Sequence, residues 1–349
     1  MESESGKLLI SVGSSPIGRR RFIGRLAKHA LIGLIFAQSS IGIPPAKASM
    51  NQVHKVPAPV LGASSSGGQP NLIGPLLWND EFNRREHSEV DPTFWTPNIG
   101  TYSQSLPTIN SPDLVNFDGS TEGHLLIKTK KIEFPSLYTG LCAGGRPCDF
   151  ATGEISTRNK LIFRYGYLEC RVKMPTGIGN FPALWMLPDG NYGQSSQITP
   201  GEIDIFEWGG NNPSRVKSTL LFDSKRGPQG SNSQFLSATG ESRTPLSVDY
   251  HTIGMSWEPG SIGFYLDNVL EKSFHTTDAD TWPFEQYFYL ILNGNVAHQP
   301  NTDLGGTWDG WKFSILSIDW IRLWKFNGYG SVGIKSNPTG PAFPYISRH

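Results

Sequence analysis

An all-β fold is predicted for this 349-residue chain by three observations. Short apolar runs alternate with polar residues at a period of two, as half-buried strands do. The 39 glycines and 26 prolines exceed ordinary usage and suit many strands joined by turns. No stretch carries a helical period of useful length, and there is no internal repeat of the kind that marks a solenoid.

The elements follow in order. Gly18-Arg19-Arg20-Arg21-Phe22-Ile23 has the form of a twin-arginine export signal, and a modest apolar stretch follows at 30–37. That stretch is too short to span a bilayer. Ala46-Lys47-Ala48 offers small residues where a signal peptidase reads, so residues 1–48 are assigned to a signal peptide. The alternatives are an ordinary secretion signal and a retained basic anchor. Residues 49–70, rich in Ser, Gly, Ala and Pro, read as a linker. The folded domain is placed at 71–327 and a tail at 328–349. Within the domain, Leu125 and Ile127 alternate in one strand. Leu168, Cys170, Val172 and Met174 face a core opposite Glu169, Arg171 and Lys173. Ile262, Phe264 and Leu266 alternate before Asp267-Asn268, a hairpin-turn pair. Residues 288–292 are continuously apolar, as in a strand buried on both faces.

The most informative segment is Gly201-Glu202-Ile203-Asp204-Ile205-Phe206-Glu207-Trp208. In a strand Glu202 and Asp204 share a face, whereas Glu207, five residues on, points the other way. One extra residue in a β-bulge near Ile205 and Phe206 returns it to the Glu202 face. The two glutamates are then roughly 13 Å apart at Cα, and their side chains leave a gap of about 5 to 6 Å. That is close to the separation of about 5 to 5.5 Å at which a carboxylate pair cleaves glycosides with retention. A solvated acidic strand or a calcium loop is the bland alternative, and Ile203, Ile205 and Phe206 argue against it by demanding a packed strand.

These residues resemble glycoside hydrolase family 16, whose signature is Glu-x-Asp-x-(x)-Glu on a strand. Leu77-Trp78-Asn79-Asp80-Glu81-Phe82 resembles the family's first strand, and Thr152-Gly153-Glu154-Ile155-Ser156-Thr157 its central segment. Phe181-Pro182-Ala183-Leu184-Trp185-Met186-Leu187 and Ser317-Ile318-Asp319-Trp320-Ile321-Arg322-Leu323 are similar in the same order. The inserted Phe206 resembles the bulged, laminarinase-like branch. The resemblance implies a jelly-roll sandwich of two curved antiparallel sheets with a concave cleft, open at both ends and therefore cutting inside a polymer. It implies Glu202 as nucleophile, Asp204 as its hydrogen-bonded helper and Glu207 as general acid and then base. Trp185 and Trp208 are candidates to stack on sugar rings, with core packing an equal alternative for Trp185. Arg158 and Asn293 are candidate substrate contacts. No cofactor is implied for catalysis, but a structural calcium is, at Glu81, Gly123 and Asp319 with backbone oxygens involved. There are departures too: residues 217–222 lack the histidine often found there, and the usual glycine pair after the late strand is replaced by Asn293-Gly294-Asn295.

Thirty basic and thirty acidic residues cancel, without a long charge run. Nucleic acid and anionic membrane surfaces are therefore poor partners, and the expected partner is a polysaccharide met by a monomer. Export to the periplasm or beyond makes a Cys142–Cys148 disulfide the expectation, with Cys170 a buried thiol. The resulting reading is a secreted retaining endo-glycosidase, with β-1,3-glucan as first substrate. Mixed-linkage glucan, an acidic exopolysaccharide and a galactan stay open, as do a transglycosylase and an idle glucan-binding sandwich.

Overall fold

The computed structural model describes residues 73–85, 88–100, 107–121, 123–134, 141–142, 145–189, 201–223, 233–276, 282–297 and 306–335. The signal peptide and linker assignments lie outside these residues. The first strands are β1 (Ile73–Asp80), β2 (Thr96–Pro97), β3 (Thr108–Asn110), β4 (Val115–Phe117) and β5 (Leu125–Lys131). Next come β6 (Phe150–Thr152), β7 (Glu154–Ser156), β8 (Leu161–Arg164), β9 (Gly166–Lys173) and β10 (Ala183–Pro188). Then follow β11 (Glu202–Trp208), β12 (Arg215–Asp223), β13 (Ser233–Glu241), β14 (His251–Glu258) and β15 (Ser261–Leu266). The last are β16 (Val269–His275), β17 (Phe288–Asn293), β18 (Phe313–Phe326) and β19 (Ser331–Ile334).

They form the two sheets of a jelly-roll sandwich. The nine-stranded sheet runs β13-β12-β11-β10-β17-β7-β2, with β8 on β17 and β19 on β8. The ten-stranded sheet runs β16-β15-β14-β9-β18-β5-β6-β3, with β1 on β18 and β4 on β5. Pairing is antiparallel except between β3 and β6. The segment assigned to a tail thus contains β19, which extends the nine-stranded sheet.

Alternation decides what lies between the sheets. Leu168, Cys170, Val172 and Met174 enter the main core, and Glu169 and Arg171 sit on the outer side of β9. The core also takes Trp95, Trp208 and Trp257, all essentially without exposure. Their indole N–H groups are not left unpaired there: Trp257 Nε1 donates to the Phe284 carbonyl at 2.9 Å, and Trp95 Nε1 donates to Asp80 Oδ2 at 2.9 Å. All six residues of β17 are buried, as the continuous apolar run implies. Asp267 and Asn268 take φ of 48° and 64°, the left-handed values that a tight two-residue hairpin between β15 and β16 requires.

Cys142 and Cys148 are bridged and seal a small satellite core with Ile109, Leu114, Ile132 and Ala151, and Cys170 is a free buried thiol. A bridge spanning six residues removes about 2 kcal/mol of unfolded-chain entropy. The Cys142→Ser/Cys148→Ser double variant is accordingly expected to melt about 4 to 8 °C below wild type in calorimetry, with reductant lowering the wild type alike and leaving the variant unmoved.

Candidate active site

β11 is flanked by β10 and β12, and both registers slip at the same place. On β12, Asp204 faces Thr219 but Glu207 faces Lys217, so three steps of β11 match two of β12. On β10, Asp204 faces Trp185 and Phe206 faces Leu184, which leaves Ile205 as the extra residue. The bulge therefore stands where the spacing of the acids requires it. Ile203, Ile205, Phe206 and Trp208 go into the core, and Glu202, Asp204 and Glu207 emerge together on the outer face.

That face is recessed, since the three carboxylates are only 7%, 3% and 6% exposed. Beside them Ala183, Trp185, Leu187, Tyr289 and Ile291 make a small apolar floor. Burial raises all three acids. The carboxyl of Asp204 is pushed well up by burial and by its two anionic neighbours, so it keeps its proton and donates it to Glu202. Glu202 is raised by burial and by Glu207, and the hydrogen bond from Asp204 works the other way, favouring its ionised form. Glu207 is pushed up to about 7 by burial, against the opposing charge of Lys217 and a hydrogen bond from Thr219 Oγ1 at 3.3 Å. A carboxyl group held near neutrality suits proton donation and recovery.

The predicted substrate contacts separate. Trp185 is on the acid side, its Nε1 donating to Asn293 Oδ1 at 2.8 Å, and Asn293 donates in turn to the Gly294 carbonyl at 2.6 Å. The Arg158 guanidinium lies 5.8 Å from the centre of the Tyr289 ring on the same floor. Trp208 does not join them. It lies in the core, 1% exposed, with Nε1 donating to the Pro213 carbonyl at 3.2 Å. The reason is the bulge itself: once Glu207 is turned outward, its successor must turn inward.

The metal candidates are differently engaged. Glu81 accepts a two-pronged contact from Arg322 at 2.8 and 2.7 Å, which holds its carboxyl below the usual range. Asp319 is ion-paired with Arg171, and Gly123 (φ 69°) packs against the Phe82–Asn83 backbone. Two carboxylates committed to arginines do not make a cation cage, and no group of three or more His, Cys, Asp or Glu among the described residues does so. The donor set left for a calcium ion is backbone carbonyls.

A further acid lines the same face. Glu154 stands in a row across the sheet, Lys217–Glu207–Ala183–Asn293–Glu154, on the acid face. It is 3% exposed, accepts from Asn110 Nδ2 at 3.1 Å and from Asn98 Nδ2, and burial pushes it up to about 7. Ile155 beside it is a core residue, and that alternation was the available signal.

A jelly-roll sandwich with paired, buried carboxylates along one outer face is the scaffold of a glycoside hydrolase. The chain matches the profile described as "Beta-porphyranase A-D, GH16 domain" over residues 78–326. It belongs to glycoside hydrolase family 16. It is 29% identical over 273 residues to glucan endo-1,3-beta-glucosidase A1 of Niallia circulans, covering 72% of this chain and 38% of that one. It is 27% identical to the keratan-sulfate endo-1,4-beta-galactosidase of Sphingobacterium multivorum, covering 78% and 59%. The catalytic domain of an endo-1,3-beta-glucanase (laminarinase) from Thermotoga petrophila RKU-1 superposes with a TM-score of 0.57 at 25% identity, covering 73% and 99%.

The raised Glu207 has a stability consequence. A folded-state value of about 7, above the ordinary 4.5, favours the fold below about pH 4.5, and that contribution is lost as pH rises through 7. Glu207→Gln removes the charge penalty, which is at most about 3 kcal/mol. The variant is expected to melt with wild type near pH 4 and several degrees above it near pH 8 by differential scanning calorimetry.

Proposed function

We propose that this chain is a retaining endo-acting β-glycosidase working by double displacement, exported to act on a polysaccharide, with β-1,3-glucan the first substrate to test. The observation that carries the reading is the Ile205 bulge, which sets Glu202 and Glu207 on one recessed face with Asp204 between them. Glu202 attacks the anomeric carbon while Glu207 gives its proton to the departing glycosidic oxygen. Glu207, now ionised, takes a proton from water, whose oxygen attacks the same carbon and releases Glu202. Two inversions leave the configuration unchanged. The proton on Asp204 keeps Glu202 ionised at the start and stays with Asp204 throughout.

The named relatives act on a glucan and on keratan sulfate, and the matched profile is a porphyranase, so the substrate reading extends to galactans and acidic glycans. The changed residues at 217–222 support keeping them in view. The deciding experiment is digestion of laminarin, lichenan, agarose and carrageenan, with product sizes and the anomer first released read by NMR. Wild type is expected to give oligosaccharides with retained configuration, and Glu202→Gln to lose at least about 1,000-fold in kcat. Inverted product, or activity untouched by that substitution, overturns the mechanism. Transfer of product to added oligosaccharide acceptors would identify a transglycosylase instead.

A further inference from the structure

We propose that Lys217, with the hydroxyls of Ser237 and Thr239, forms a subsite for an anionic substituent, a sulfate ester or a carboxylate, on the sugar bound next to the general acid. The inference deepens the glycosidase reading and rests on it. Lys217 is the in-register neighbour of Glu207 on β12 and so shares its face. Such neighbours have Cβ atoms about 4.5 to 5.5 Å apart. On the other side of β12, Thr239 faces Lys217 and Ser237 faces Thr219, with the latter pair's hydroxyls 3.4 Å apart. One step further along the face is Phe235, 54% exposed, an apolar surface suited to the body of a sugar ring.

Lys217 is half-buried and has no ion pair or hydrogen bond among the described residues. This contrasts with Arg171, Arg322 and Lys335, each seated on a carboxylate. The charges nearest to it are the site's own acids, Glu207 and Asp204, which burial holds toward their neutral forms and which therefore meet the ammonium only in part. A neutral glucan offers it nothing that an uncharged side chain would not supply better. Its charge also works against the general acid, because it favours the ionised form of Glu207. An anion on the sugar resolves both problems: it partners the ammonium, takes hydrogen bonds from the hydroxyls, and cancels the field that would strip the proton from Glu207.

The test uses two matched pairs of polymers: a sulfated galactan with its desulfated form, and a uronate-bearing glucan with its carboxyl-reduced form. Wild type is expected to favour the anionic member of one pair by tenfold or more in kcat/KM, and the pair identifies the anion. Lys217→Met should lose most of that preference, the anionic member falling by far more than the neutral one, and Lys173→Met, on the far sheet, should change neither. The alkaline limb of the wild-type pH profile should lie higher on the anionic polymer than on its neutral partner. Equal losses on both members, or a wild-type preference for the neutral ones, overturn the proposal and leave Lys217 as a modulator of Glu207 alone. Affinity electrophoresis of Glu202→Gln, with and without Lys217→Met, reads the same preference without turnover. Lys217-dependent retardation in the absence of any cleavage would retain this subsite while the glycosidase reading falls.

Discussion

A single surplus residue governs this molecule. Ile205 has no counterpart on either neighbouring strand, and the bulge that takes it up resets the facing of everything after it in β11. Were the same residues an unbulged strand, Glu207 would enter a core of Trp, Phe and Ile side chains, where an unpaired carboxylate is very costly, and Phe206 would be turned out to water. With it, three acids share a surface that neither strand alternation nor charge repulsion would assemble unaided. The bulge is pinned from below: Ser218 Oγ donates to the Ile205 carbonyl at 2.8 Å, satisfying a backbone group that the broken ladder cannot.

The acids are held there against their own electrostatics. Each is buried, the charges of Glu202 and Glu207 raise Asp204 and that of Glu207 raises Glu202, and one oxygen of Asp204 has no hydrogen-bond partner among the described residues. The cost is offset by the sandwich beneath, whose core runs unbroken from Trp78 to Leu323. Glu154, Asn98 and Asn110 repeat the pattern three strands away, with a buried carboxyl held by amide donors. The face is therefore a line of polar groups on an apolar base, the mixed character that sugars present in return.

Much of this was legible in the residues because period two is a strong constraint. It placed the core side of β9, the hairpin at Asp267-Asn268 and the double burial of β17, and the odd spacing from Glu202 to Glu207 called for the bulge. Trp208 was misjudged although the same rule applied, since a residue adjacent to an outward acid must point inward. The pairing of Glu154 gives no local signal because its partners Asn98 and Asn110 are 56 and 44 residues away in sequence and are brought to it only by sheet order. Glu81 and Asp319 could be seen as acids, but their arginine partners come from other strands, and pairing across 241 and 148 residues leaves no local trace.

The placement of β18 reaches into how the chain acquires its shape. This strand lies between β9 and β5 and also carries β1, so the middle of the ten-stranded sheet is made by a segment that follows all of its partners in the chain. Earlier strands must wait, with hydrogen-bonding edges open, until residues 313–326 arrive. Assembly dominated by such distant partners is slow. The waiting chain is vulnerable to self-association, so its yield should depend on how quickly that one late segment is captured.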